Sequence, residues 1–153
     1  MLMEALAYIS VLLVLLGVGF AAFYRCIDSS LALRRSADDL TSAIHAGERW
    51  RADIRSANQK VWLEPATDEP ILHIPTSTGD IAYGFASNAV FRRVGNGIWV
   101  RVLPNAAASI MEPDPRRNVT AWRWELELQR RAKSSRIRPL FTFLAVPQPN
   151  SSQ

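Results

Sequence analysis

Apolar and polar positions follow two different periods along this chain, and the change falls near residue 60. From Ala5 to Tyr24 there is no charged residue at all. About twenty residues at roughly 1.5 Å each span about 30 Å, the thickness of a bilayer's hydrocarbon core. Tyr24 and Arg25 close the run as an aromatic and a cation do at a membrane interface. A cleavable signal peptide would need a basic start and a shorter apolar core. Here Glu4 stands where Lys or Arg would be, so residues 1–25 are expected to be a transmembrane segment.

No proline occurs between Met1 and Glu64, so the helix is expected to continue past the membrane. Leu33, Ala37, Leu40, Ile44, Gly47, Trp50 or Arg51, Ile54 and Ala57 recur at steps of three and four, which puts them on one stripe. Charges fill the other faces, and Arg34 with Asp38 and Arg35 with Asp39 are spaced to pair one turn apart. This predicts an amphipathic helix over 26–58 continuing the transmembrane one. Together they make one helix from about Leu2 to Asn58, on the order of 80 Å long. Gly17, Gly19 and Gly47 are where it can bend.

From Lys60 the period is two. Short strands are expected at 61–63, 71–74, 80–85, 90–94 and 98–103, with a loop from Pro65 to Pro70 and turns at Thr78-Gly79 and Gly95-Asn96-Gly97. The clearest strand is 121–129, where Trp122, Trp124, Leu126 and Leu128 alternate with Arg123, Glu125, Glu127 and Gln129. Residues 106–115, with prolines close by, read as loop around a short strand at 109–111. Residues 130–138 read as a basic loop and 139–146 as the last strand. The expectation is an α+β chain: an antiparallel β domain over 59–147, a disordered tail over 148–153, and the helix stripe from Ile44 to Ala57 covering the sheet's apolar face.

Composition changes this picture little. Charged residues are 21% of the 153, and the net charge of +4 comes mostly from dispersed arginine, without the blocks of like charge that mark a nucleic-acid tail. No nucleic-acid partner is expected, and the basic excess reads as solvated surface. The single cysteine, Cys26, excludes an internal disulfide, and His45 and His73 are too far apart in sequence for a metal spacing. His73 reads as a half-buried strand residue, and the Asn118-Val119-Thr120 sequon as a chance match. Trp50, Trp62, Trp99, Trp122 and Trp124 could stack a ligand, but most fall in expected strands and read as core. No cluster of nucleophile, base and acid stands out, and no glycine-rich loop opens a helix. No catalytic residue, cofactor or metal is expected, and the chain reads as a non-enzyme.

The start Leu2-Met3-Glu4-Ala5-Leu6, followed by an uninterrupted apolar helix, resembles the mature N-terminus of type IV pilins and type II secretion pseudopilins. The segment Gly47-Glu48-Arg49-Trp50-Arg51-Ala52-Asp53-Ile54-Arg55-Ser56-Ala57 is similar to the end of the long helix in minor pseudopilins of the J- or PilW-like type. The pair Ile81-Ala82-Tyr83-Gly84-Phe85 and Val90-Phe91-Arg92-Arg93 resembles the strands that follow there. The likeness runs over about residues 2–95 and is architectural beyond. It implies a long helix packed on a small antiparallel sheet, in a structural subunit of a pseudopilus or pilus-like filament. It also implies other pilin-like subunits, the lipid bilayer and an inner-membrane assembly platform as partners. The folded domain would be periplasmic, on a single-pass anchor in the bacterial inner membrane. A single-span anchored binding or accessory domain that never polymerises is the alternative.

In that family a short basic leader ending in glycine precedes the mature chain, and the glutamate is its fifth residue. Here the glutamate is the fourth and no leader is seen, so either translation is expected to start upstream or the chain is not processed. Arg25, Arg34 and Arg35 would by charge favour a cytoplasmic domain, whereas the resemblance implies an external one. The resemblance also implies that Glu4 pairs with the terminal amine of a neighbouring subunit. A carboxylate at the edge of the hydrocarbon costs on the order of 1–3 kcal/mol, which such a partner would offset.

Overall fold

The first element, α1, runs from Leu2 to Arg55 without a break, through Gly17, Gly19 and Gly47. The computed structural model describes residues 2–65, 70–117, 119–129 and 139–148, the side chains of Leu2, Glu4, Ala5 and Ala32 excepted. The expected basic loop at 130–138, Asn118 of the sequon and the last five positions of the expected tail lie outside the described residues. The chain divides into two units, Met1–Asp38 and Asp39–Gln153.

In the first unit every described side chain from Leu6 to Leu31 is exposed, the apolar ones included. This is one helix near the N-terminus, long and apolar enough to cross a membrane. Nothing within the unit buries those side chains, so their favourable environment must come from outside it.

The second unit is α+β. Eight strands follow the helix: β1 (Trp62–Glu64), β2 (Ile71–Thr76), β3 (Gly79–Ala86), β4 (Ala89–Val94), β5 (Val100–Leu103), β6 (Ala106–Pro115), β7 (Thr120–Leu128) and β8 (Leu140–Ala145). They form two sheets where one was expected: a five-stranded meander β1-β2-β3-β4-β5 and a three-stranded meander β6-β7-β8, all pairs antiparallel. Between β3 and β4 the chain reverses on Ser87 and Asn88, at φ 49° and 59°, a tight turn that no glycine announced. Asn105, at φ 60°, joins β5 to β6, where Gln129 N donates to its carbonyl.

Several expectations are corrected. The helix stops at Arg55, not Asn58, because Ala57 bridges Thr76 and Asn58 N donates to Pro75 O: the backbone has already joined the edge of β2. The buried stripe is Ala43, Ala46, Gly47, Trp50 and Ile54, while Leu40 and Ile44 are 39% and 49% exposed. Only glycine fits at position 47, because the Phe143 ring of β8 packs so closely there that a Cβ would overlap it. Residues 106–115 are a ten-residue strand instead of loop, because β6 is an edge strand and the missing N–H groups of Pro113 and Pro115 do not interrupt its ladder to β7. Strand β5 begins at Val100, since Trp99 leaves the ladder to lie across Gly84.

Strand β7 alternates as expected, with Trp122, Trp124, Leu126 and Leu128 buried. The core is centred on its Trp124, whose ring centroid lies 5.7 Å from that of Trp50 and 5.4 Å from that of Phe143. Helix, five-stranded sheet and three-stranded sheet therefore share one apolar core, which also takes in Ile54, Leu72, Ile74, Tyr83 and Val90.

Candidate functional site

Two constellations of polar side chains stand out in the second unit, on opposite faces of the five-stranded sheet. On the face toward the helix, Tyr83 of β3 donates its phenol to Asp53 Oδ2 at 2.6 Å. Arg92, from the neighbouring β4, donates Nε to the same oxygen at 2.8 Å and Nη2 to Oδ1 at 3.1 Å. The register pairs Tyr83 with Arg92 across the two strands, so both side chains point at the last turn of the helix. Burial pushes the Tyr83 phenol well above its ordinary value, and the Asp53 charge and hydrogen bond push it the same way, with Arg92 opposing. The Arg92 guanidinium is raised too, chiefly by its hydrogen bond to Asp53. Charge-assisted contacts of this forked kind fix both distance and orientation. Their effect is to lock the last turn of the helix against the sheet.

On the outward face, His73 of β2 is buried at 7% exposure, deeper than the half-buried position expected. Its Nδ1 lies 2.6 Å from Asp80 Oδ2 and its Nε2 3.1 Å from Glu64 Oε2. Both contacts are hydrogen bonds only when both ring nitrogens carry protons. The Trp62 ring stacks on the imidazole at 4.3 Å between centroids and 7° between planes. Farther across the face, the Arg93 guanidinium sits 4.7 Å from the Trp99 ring centroid. The five tryptophans are thus not all core. Trp50, Trp122 and Trp124 are buried, whereas Trp62 and Trp99 are 45% and 38% exposed on the outward face.

Glu4 is the one residue for which the resemblance implies a functional role. Its backbone lies in the first turns of α1, and its side chain lies outside the described residues. His45 and Cys26 are exposed on the helix. Among the described residues no group of three or more His, Cys, Asp or Glu side chains is placed to hold a metal ion.

Comparison with protein families, curated proteins and solved structures gives no match. The site must therefore be understood from its own geometry. The Asp53–Tyr83–Arg92 cluster was not anticipated: Asp53 read as one of the charges on the outward faces of the helix, whereas its side chain is 13% exposed, and its partners come from strands 30 and 39 residues away. The Trp62–His73 pair depended on register, which no local pattern discloses.

Proposed function

We propose that this chain is a membrane-anchored structural subunit of the minor pilin or pseudopilin kind, assembling through its N-terminal helix into a pilus-like or type II secretion filament. The observation that carries this reading is the single helix Leu2–Arg55, which is apolar and exposed at one end and built into a sheet at the other. In the folded unit Trp50, Ile54 and Asp53 are committed to that sheet. A simple tether would need no such fixture. The domain would be periplasmic, and the partners would be further pilin-like subunits and the membrane platform that assembles them.

Glu4 supplies the test. Glu4→Gln removes a charge from the apolar edge, so membrane insertion should be retained or improved. Assembly should fall, because a neighbour's amine is left without its partner, a loss of about 3–5 kcal/mol for a buried pair broken from one side and less near the headgroups. Disulfide cross-linking between cysteines placed in the first turns of neighbouring subunits reads this out, at matched membrane levels. Unchanged cross-linking in Glu4→Gln would remove the residue-level basis of the proposal. A second reading, an anchored binding domain that never polymerises, is favoured by the two half-exposed tryptophans on the outward face. It predicts no cross-link even in the wild type.

A further inference from the structure

The outward face of the five-stranded sheet is open, because the helix stretch that carries Trp50, Asp53 and Ile54 packs on the other face. Strand pairing lays the outward side chains out in rows. One row runs from β1 to β5 through Glu64, Ile71, Gly84, Phe91 and Arg101. The row beside it holds Trp62, His73, Ala82 and Arg93, with the Trp99 ring against Arg93 and over Gly84. The middle of the face carries a hollow of about 410 Å³ whose lining is wholly apolar: Ile71, Gly84, Phe85, Ala86, Phe91 and Trp99. At the β5 edge Ile98, Trp99 and Val100 are three exposed apolar residues in succession. Exposed apolar surface gathered in this way marks a contact, and what meets its centre must be apolar too.

The charges at its two ends say what that is. Glu64 closes one end of its row with its side chain 52% exposed, and Arg101, also exposed, closes the other. Arg101 has no ion pair among the described residues. Four strand spacings put the two about 19 Å apart, too far to pair within one chain. An acyl chain or an apolar ligand would use neither charge, and a partner of one sign would meet its own sign at one edge. A second copy of the same face does neither.

A half-turn about an axis running along β3 lays β1 of each copy over β5 of the other, and β2 over β4. Each Glu64 then comes opposite the other copy's Arg101, Ile71 opposite Phe91, and Trp62 opposite Trp99. Ala82 and Gly84 fall at the axis, where small residues let two sheets close to about 10 Å. Asp80, the acid nearest the axis, is already engaged by its own His73 at 2.6 Å. We propose that the outward face of the five-stranded sheet is the contact surface of a two-fold dimer of this chain, closed by reciprocal Glu64–Arg101 ion pairs around an apolar centre. Five strands by about five residues make a footprint of roughly 400 Å² per copy, about half that of a standard interface, so the contact is weak and shows at membrane densities.

This does not rest on the filament reading, whose subunits would repeat head to tail, and it is tested apart from it. Full-length chains are labelled with donor or acceptor dye at Cys26, which is exposed and the single cysteine, and are reconstituted together in phosphatidylcholine vesicles. Energy transfer above that of randomly placed chains is expected, and Trp99→Ala should weaken the association about tenfold or more. Glu64→Arg alone sets two cations against each other at both ends, and Arg101→Glu alone sets two anions, so each variant by itself should lose association to a similar extent. Donor-labelled Glu64→Arg mixed with acceptor-labelled Arg101→Glu has both pairs again, so transfer should return, which also shows that both variants fold. Wild-type transfer no higher than random overturns the proposal. So does transfer that Glu64→Arg and Arg101→Glu leave unchanged, or a loss that mixing them does not restore. The first-turn cross-link that depends on Glu4 can fail while this transfer persists, and the reverse, so the two readings stand or fall separately.

Discussion

Replacing Tyr83 by Phe deletes one oxygen from the lock between helix and sheet and leaves the ring in place. The phenol is 1% exposed and 2.6 Å from Asp53 Oδ2, and Asp53 keeps both of its contacts from Arg92. A hydrogen bond to a charged group contributes about 1.5–3 kcal/mol net, so Tyr83→Phe should cost about 2 kcal/mol near neutral pH. Asp53→Ala should cost more, about 3–5 kcal/mol, because it strands a buried phenol and an unpaired guanidinium together. The same geometry makes a prediction about pH. Unfolded, Tyr83 titrates near its ordinary value of 10.0, whereas in the fold it is raised, by burial first and then by Asp53. Above about pH 10 the unfolded chain has therefore released a proton that the folded chain still holds. Stability should be fully present below that pH and fall above it by up to about 1.4 kcal/mol per pH unit. Urea unfolding of the full chain in detergent, followed by tryptophan fluorescence at pH 7 and at steps from about pH 9 to 11.5, measures both effects. Tyr83→Phe should be less stable at pH 7 and should lose its share of the alkaline slope. A Tyr83→Phe protein with wild-type stability and an unchanged alkaline slope would refute the assignment of Asp53–Tyr83–Arg92 as the lock.

Gly47→Ala should destabilise by about 1–3 kcal/mol despite alanine's better helix propensity, because its Cβ would overlap the Phe143 ring; Phe143→Leu in the same chain should restore part of the loss in thermal melts. The intact chain should stay with membranes through alkaline carbonate extraction, and its recovery in the soluble fraction would overturn the transmembrane assignment. A fragment beginning at Lys60 should aggregate, since it loses Trp50 and Ile54, each contributing about 1.5–3 kcal/mol by burial, whereas one beginning near Ser29 retains them and should melt cooperatively.

What the sequence determined by itself was everything that depends on local period. Twenty uncharged residues demand an apolar surrounding at any register, so a helix long and apolar enough to cross a membrane was legible from Ala5 to Tyr24. The alternation of Trp122, Trp124, Leu126 and Leu128 was equally plain, because a strand with one wet face repeats every two residues. Tertiary structure decided whatever depends on what lies opposite. Leu40 and Ile44 looked as apolar as Trp50 and Ile54, but the helix turns Ala43, Ala46 and Gly47 inward, and at Gly47 the Phe143 ring leaves no space for a side chain. Pro113 and Pro115 argued against a strand until β6 proved to be an edge, where a missing N–H costs nothing to the ladder. Trp62 and Trp124 are the same residue type in strands, and only the pairing register places one over His73 on the outer face and the other against Trp50 in the core. A one-residue slip would exchange those faces, so a sequence read in isolation can mark tryptophans but cannot say which of them meets solvent.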